Sequence, residues 1–150
     1  MNPADVLFFE DFAVGQSFEL GTHAVTKDEI IDFAKKWDPQ PFHLDDAAGE
    51  ESPFGGLIAS GWHTVSALMS LCAGLLNRSA GMGSPGVDEV RWWQPVRPGD
   101  ALTGRTTVLE VKASQSKADR GTVLLLSELF NQDGKRVLSM KGAAFFARRR

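Results

Sequence analysis

The sequence predicts an α+β fold in which an antiparallel sheet wraps around one long central helix. Helix signals are concentrated in the first half of the chain and strand patterns in the second half. The segment from Trp62 to Asn77 is apolar nearly all round, so we expect it to form a helix buried by the sheet. With 150 residues, no internal repeat and no low-complexity linker, we expect a single domain over residues 1–150.

The first elements are predicted from turn and capping residues. The opening segment is typical of loop and short strand, with Gly15 and Gly21 on either side of residues 17–20. Thr26 followed by Glu29 three positions later forms a capping box, which predicts the start of a helix. Four apolar side chains then recur at helical spacing and should share one buried face: Ile30, Phe33, Ala34 and Trp37.

The segment from Asp38 to His43 is predicted to be a stiff turn. Pro39 and Pro41 fix two backbone angles and remove two donors. Pro39 also disfavours helical geometry at Asp38, so the preceding helix should end there. Two further elements lead to the central helix: a short acidic helix that begins at Asp45 or Asp46, and a loop over residues 52–56.

The second half of the chain carries strand patterns separated by turns. Pro98-Gly99-Asp100 predicts one turn, and Asp133-Gly134 predicts the turn of a hairpin. The four predicted strands are Val87–Trp93, Ala101–Val111, Thr122–Phe130 and Lys135–Phe146.

Composition excludes several classes of protein. The chain is 43% hydrophobic with 10 Phe and 4 Trp, enough apolar material for a core, which excludes a wholly disordered chain. A net charge of −3 gives no electrostatic footprint for a nucleic-acid backbone. Cys72 is the only cysteine, so we expect neither a disulfide framework nor a cysteine-based zinc site, and a reducing cytoplasm fits.

Two features of the sequence bear on localisation. The first five residues lack the basic start and apolar run of a secretion signal. Residues 52–77 contain no Asp, Glu, Lys or Arg and are long enough to span a bilayer. Pro53 and the glycines and serines of this segment favour a helix buried inside the protein over a membrane span.

The residues with chemical potential lie close together in the sequence. Asp38 and His43 are five residues apart on a rigid turn, so they could hold one water molecule and move its proton. Alternatively, Asp38 simply ends a helix and His43 is a buried histidine with satisfied hydrogen bonds. Gly61, at the head of the long helix, could let a ligand oxygen reach a free backbone amide. Helix capping by Ser60 explains the same residues equally well, so spacing leaves these alternatives open.

Two segments of the chain resemble the hydratase motif of the MaoC-like dehydratases, the (R)-specific enoyl-CoA hydratases and their relatives. They are FAKKWDPQPFHLD over residues 33–45 and PFGGLIASG over residues 53–61. The family pattern is an Asp, then Asn-Pro-x-His, then His-Gly at the head of the central helix. EVRWWQPVRPGD over residues 89–100 is similar to the family's first long strand and its Pro-Gly-Asp turn, and the similarity extends over residues 8–148.

This resemblance implies a hot-dog fold, a homodimer whose sheets join edge to edge, and acyl-thioester pockets near the dimer interface. It identifies Asp38 and His43 as the catalytic pair that holds and activates water for addition across the C2–C3 double bond of an enoyl-CoA. The amide of Gly61 would bind the thioester carbonyl. The resemblance implies no metal or redox cofactor, because the thioester itself acidifies the neighbouring carbon, and coenzyme A is part of the substrate.

Two residues depart from the family pattern. Gln40 replaces the usual Asn and Ser60 replaces the usual His, and both are expected to bear on substrate binding and on which acyl group is accepted. Trp92 and Trp93 are adjacent and should face opposite sides of a strand, one on the central helix and one at the pocket mouth or dimer contact. Two other functions remain open on the same fold: an acyl-CoA thioesterase and a non-catalytic acyl-thioester-binding protein.

Overall fold

The helices come before four of the five strands in the amino-acid sequence. The computed structural model describes residues 2–150. The helices are α1 (Lys27–Trp37), α2 (Pro41–Leu44), α3 (Asp46–Glu51) and α4 (Gly61–Leu76), preceded by short 3-10 helices at Pro3–Asp5 and Phe9–Asp11. The strands are β1 (Ser17–Ala24), β2 (Gly86–Trp92), β3 (Ala101–Ala113), β4 (Arg120–Phe130) and β5 (Arg136–Ala147). The central helix and the four predicted strands are confirmed, with ends shifted by one or two residues.

The five strands form one antiparallel sheet in the order β1-β3-β4-β5-β2, so β1 and β2 are its edges. α4 lies against this sheet. Its residues Leu68 and Cys72 belong to one buried cluster with Leu102 of β3, Leu129 of β4 and Leu138 of β5. The protein therefore has the α+β hot-dog fold, a sheet curled around a central helix, as the sequence predicts.

The prediction that α4 is buried on every side is wrong for one face. Leu68 and Cys72 face the sheet, whereas Trp62 is 58% exposed and Met69 is 45% exposed. α4 therefore carries a stripe of apolar side chains that is exposed to solvent in the single chain. Within residues 2–150, the helices are too short or too polar to cross a membrane.

Two predictions about the first half of the chain are corrected. Gly21 does not bound a short strand but lies inside β1, where the pairing with β3 is irregular and its φ of 93° suits a glycine bulge. Trp37 does not share the buried face of α1 with Ile30 and Ala34, and its ring is 66% exposed. It is the last residue of α1, so it lies beyond the part of the helix that packs on the core.

Candidate active site

A tight turn and a one-turn helix bring Asp38 and His43 together. The N–H of Gln40 donates to the carbonyl of Asp38 at 2.8 Å, which closes a three-residue turn around Pro39. α2 then begins at Pro41, where proline is favoured because the first helical N–H has no intrahelical partner. The stiff turn of the prediction thus continues into a helix that carries His43. Nε2 of His43 lies 3.4 Å from Oδ2 of Asp38.

The second ring nitrogen of His43 fixes its orientation. Nδ1 lies 2.8 Å from the carbonyl oxygen of Ile58, and the side chain is buried. Because a carbonyl can only accept, Nδ1 carries a proton. In the neutral ring, Nε2 then holds a lone pair that faces Asp38. Two acceptors 3.4 Å apart form no direct hydrogen bond, but they can share a donor such as water.

The carboxylate of Asp38 accepts hydrogen bonds at both oxygens. The hydroxyl of Ser60 donates to Oδ2 at 2.6 Å, and the amide of Gln40 donates to Oδ1 at 2.7 Å. Burial favours a raised pKa for Asp38, but these two hydrogen bonds, together with the electrostatic influence of His43, outweigh it and lower the pKa below its ordinary value. Asp38 is therefore ionised at neutral pH.

Two contacts explain the Ser60-Gly61 pair at the start of α4. The hydroxyl of Ser60 accepts a 3.3 Å hydrogen bond from the N–H of Trp62, as expected of an N-cap. The indole Nε1 of Trp92 donates to the carbonyl of Gly61 at 2.8 Å, and a Cβ at position 61 would lie 2.6 Å from two atoms of that indole ring. Packing against Trp92 therefore requires a glycine here. The Gly61 amide has no hydrogen-bond acceptor among residues 2–150.

An open cavity of about 500 Å³ lies over these residues. Asp38, Gln40, His43 and Gly61 all contribute to its wall, whereas Ser60 is fully buried and does not. The structure thus brings together every predicted site residue but puts Ser60 beneath Asp38, not on the cavity surface. Most of the remaining wall is apolar and comes from Phe42, Phe54, Ile58, Ala59, Trp62, Trp92, Trp93 and Pro95.

Trp92 and Trp93 both line this cavity, where only one of them was expected at the pocket. β2 ends at Trp92, so the alternation expected of a strand does not extend to Trp93. Trp92 contacts Trp62 edge to face at 5.3 Å, while the indole of Trp93 donates to the hydroxyl of Ser139 at 2.9 Å. Trp92, packed on the start of α4, and Trp93, on the cavity wall, agree with the prediction of one ring on the central helix and one at the pocket, but Trp92 lines the cavity as well.

A second polar cluster lies on α1 and α4. Glu29 lies 3.1 Å from Nε2 of His23, on the neighbouring strand β1, and 3.7 Å from Nε2 of His63, so His23 is hydrogen-bonded to Glu29. His63 stacks on Phe33 at 4.9 Å, and its buried Nδ1 has no hydrogen-bond partner. Burial lowers the pKa of His63 despite the opposing charge of Glu29. Within residues 2–150, no three His, Cys, Asp or Glu side chains are arranged to hold a metal ion.

Comparisons with known proteins agree with this geometry. The MaoC-like domain model matches residues 11–128. A crystal structure of a MaoC-like dehydratase from Rhodospirillum rubrum superposes with a TM-score of 0.87 at 42% identity, covering 96% of this chain and 99% of the other. An (R)-hydratase from Pseudomonas aeruginosa gives a TM-score of 0.76 at 28% identity, covering 97% and 88%.

Two curated relatives match over most of their length. The chain is 31% identical to the Bacillus subtilis protein YdeM over 126 residues, covering 82% of this chain and 86% of the relative. It is 31% identical to a 3-hydroxybutyryl-CoA dehydratase from Methylorubrum extorquens over 120 residues, covering 75% and 71%. The domain match, the fold and the arrangement of the motif residues agree, and the protein belongs to the family of MaoC-like dehydratases.

Proposed function

We propose that this protein is a hydro-lyase that adds water across the C2–C3 double bond of a trans-2-enoyl-CoA, or removes water from a 3-hydroxyacyl-CoA. The observation that carries the proposal is the approach of Asp38 Oδ2 to His43 Nε2 at 3.4 Å on the wall of an accessible cavity. Membership of the dehydratase family supports the same class of reaction. The 3-hydroxybutyryl-CoA dehydratase among the relatives supports a thioester of coenzyme A as the substrate.

The pair suits the binding of one water molecule. A water between the two residues donates one hydrogen to Oδ2 of Asp38 and the other to Nε2 of His43, because both atoms are acceptors. Its oxygen lone pairs then point into the cavity. The fixed proton on Nδ1 of His43, directed to the carbonyl of Ile58, keeps Nε2 available for this bond.

The reaction then requires one proton to leave the water and one proton to reach C2. As an O–H bond of the water breaks, the pair accepts that proton and the oxygen bonds to C3. The double-bond electrons move toward the thioester carbonyl and C2 takes the proton that the pair accepted from the water, so that H and OH have added across the bond and the pair is restored. The reverse sequence eliminates water. No metal ion or redox cofactor enters this scheme, because the thioester stabilises negative charge next to C2.

The amide of Gly61 is the donor proposed for the thioester oxygen. It is the first N–H of α4, where the helix dipole favours negative charge. As C2 gains electron density, charge builds on this oxygen, and a preorganised donor stabilises it more than the ground-state carbonyl. The indole of Trp92 donates to the carbonyl of the same residue and so restrains the backbone next to this amide.

The cavity wall fits the apolar part of an acyl thioester. Its volume of about 500 Å³ falls in the ordinary range for small-molecule sites, roughly 300–1,000 Å³. Trp62, Trp92 and Trp93 present rings on one side, and Phe42 and Phe54 lie in contact at 5.4 Å on the wall as well. A non-polar chain is desolvated here, while Asp38 and His43 supply the polar end of the site.

The proposal includes a homodimer in the cytoplasm. β2 is an edge strand with Val87 exposed, and the outer face of α4 exposes Trp62 and Met69. Unpaired edges and contiguous apolar surface favour association. Pairing of β2 with β2 of a second copy would provide hydrogen-bond partners for the free backbone groups of this edge strand and would bury the apolar surfaces.

Product analysis tests the proposed reaction. Trans-2-enoyl-CoA thioesters of increasing chain length are offered to the protein, while enoyl absorbance, free thiol and product mass are followed. We expect absorbance to fall without thiol release, with a product heavier by one water. Thiol release without hydration would contradict the proposal and identify the protein as a thioesterase. Tight binding of the thioesters with neither reaction, across the whole series, would contradict the proposal and identify a non-catalytic acyl-thioester-binding protein.

A further inference from the structure

The two residues of the motif that depart from the family pattern both contact the same side chain. Gln40 donates to Oδ1 of Asp38 at 2.7 Å, and Ser60 donates to Oδ2 at 2.6 Å. A carboxylate held at one oxygen can still rotate about its Cβ–Cγ bond. Held at both oxygens by donors from different segments, it has one orientation.

Each donor is itself fixed by its neighbours. The hydroxyl of Ser60 accepts from the N–H of Trp62, so its single proton is directed to Asp38, and the residue is fully buried with no competing water. Gln40 is exposed, but its backbone N–H closes the turn on the carbonyl of Asp38 at 2.8 Å. This turn brings its side chain back over the carboxylate. Neither donor therefore depends on a long flexible segment.

The remaining acceptor capacity of Asp38 lies where the water is needed. A carboxylate oxygen can accept more than one hydrogen bond, and Ser60 occupies one direction at Oδ2. Nε2 of His43 lies 3.4 Å from the same oxygen, beyond the usual length of a direct hydrogen bond. The two donors thus leave Oδ2 one open direction, toward His43.

We propose that Ser60 and Gln40 are a pair of positioning residues that together fix the carboxylate of Asp38, so that Oδ2 offers its open lone pair to the water shared with His43. The catalytic consequence of this arrangement rests on the proposed function, whereas the orientation and the pKa of the Asp38 carboxylate do not. It assigns Ser60 a role beneath the site instead of direct contact with substrate. The lowered pKa of Asp38 agrees with two donors that stabilise its charged form.

Carbon NMR of the Asp38 carboxyl group tests the pair without any substrate. The variants are Ser60→Gly, which retains most N-cap stability while removing the hydroxyl, Gln40→Leu, and the double variant. Asp38→Asn identifies the resonance. We expect the pKa of Asp38 to rise in each single variant and to be highest in the double variant. Gln40 is exposed, so Gln40→Leu should fold even if the change at Ser60 prevents folding.

Two matched controls remove the same chemical groups elsewhere. Ser66→Ala deletes a hydroxyl that bonds only the backbone of its own helix, at Trp62. Gln132→Leu deletes an amide that donates to the carboxylate of Asp100 at 3.1 Å. Neither control should move the titration of Asp38. An Asp38 titration that is equal in wild type, Ser60→Gly and Gln40→Leu would overturn the proposal.

Kinetics test the positioning role. Each single variant should lower kcat by about 10- to 100-fold with little change in KM, because the substrate still binds while the water is misaligned. The double variant should lose about as much as the worse single variant, since one lost donor already frees the carboxylate. Losses confined to KM would contradict positioning and indicate direct substrate contact. If wild type hydrates no thioester although the titrations shift as expected, the proposed function fails while the pairing on Asp38 is supported.

Discussion

Replacing Gly61 with alanine separates two reasons for a glycine at the head of α4. One reason is packing, because a Cβ would lie 2.6 Å from Nε1 and Cε2 of Trp92 and 3.1 Å from Cζ2. The other reason is the approach of a ligand oxygen to the amide. The first affects stability in the absence of ligand, and the second affects turnover.

The structure sets the size of the stability effect. A Cβ at 2.6 Å forces the indole to move, and overpacking of this kind costs about 1–3 kcal/mol. Trp92 is 45% exposed, so its ring can retreat and the cost should lie in the lower part of that range. Retreat also breaks the 2.8 Å hydrogen bond to the Gly61 carbonyl, worth about 1 kcal/mol. Together these contributions should lower the free energy of unfolding by about 2 kcal/mol in Gly61→Ala.

A double-mutant cycle with Trp92→Ala gives the assay. Urea denaturation is measured for wild type, both single variants and the double variant. In the Trp92→Ala background the clash is absent, and alanine is a better helix former than glycine by up to about 1 kcal/mol. Gly61→Ala should then be neutral or stabilising. An equal destabilisation with and without Trp92 would refute the packing argument.

Three other outcomes follow from the structure. The pKa of His63 is lowered in the folded protein, so just below the ordinary value of 6.5 the unfolded chain binds more protons than the folded protein does. The free energy of unfolding, measured by urea denaturation, should therefore fall as the pH drops through 6.5. It should fall less in His63→Gln. Leu68→Ala empties a fully buried position and should cost about 2–5 kcal/mol of unfolding free energy, while Ser70→Ala on the exposed face should cost little. Val87→Lys on the edge strand should lower the molecular mass measured by sedimentation if β2 forms the dimer contact, and an unchanged dimer would exclude this edge.

Local sequence signals predicted the parts of the site that depend on local backbone. Pro39 ends α1 at Asp38, Pro41 begins α2, and Ser60 caps α4, so each functional group is placed by rules that act over a few residues. The order of helices and strands followed from hydrophobic patterns for the same reason.

Features that depend on contacts between distant segments could not be predicted. Whether Trp92 covers Gly61 depends on how β2 meets the start of α4, 31 residues away in sequence. The contact of Glu29 with His63 likewise joins α1 to α4, and the exposure of Trp37 depends on where packing against α1 stops. Hydrophobic spacing indicates which face of a helix is apolar, but not which other segment covers it.

The comparison of wild type with Asp38→Asn tests the central claim most directly. Both are assayed with the enoyl-CoA that wild type hydrates best, and Asp32→Asn, an exposed change on the same helix, is the matched control. Asparagine keeps the shape of Asp38 but cannot accept a proton from water, so we predict a loss in kcat of about 10²-fold or more, with Asp32→Asn equal to wild type. An Asp38→Asn variant that folds normally and hydrates at the wild-type rate would contradict the assignment of this site.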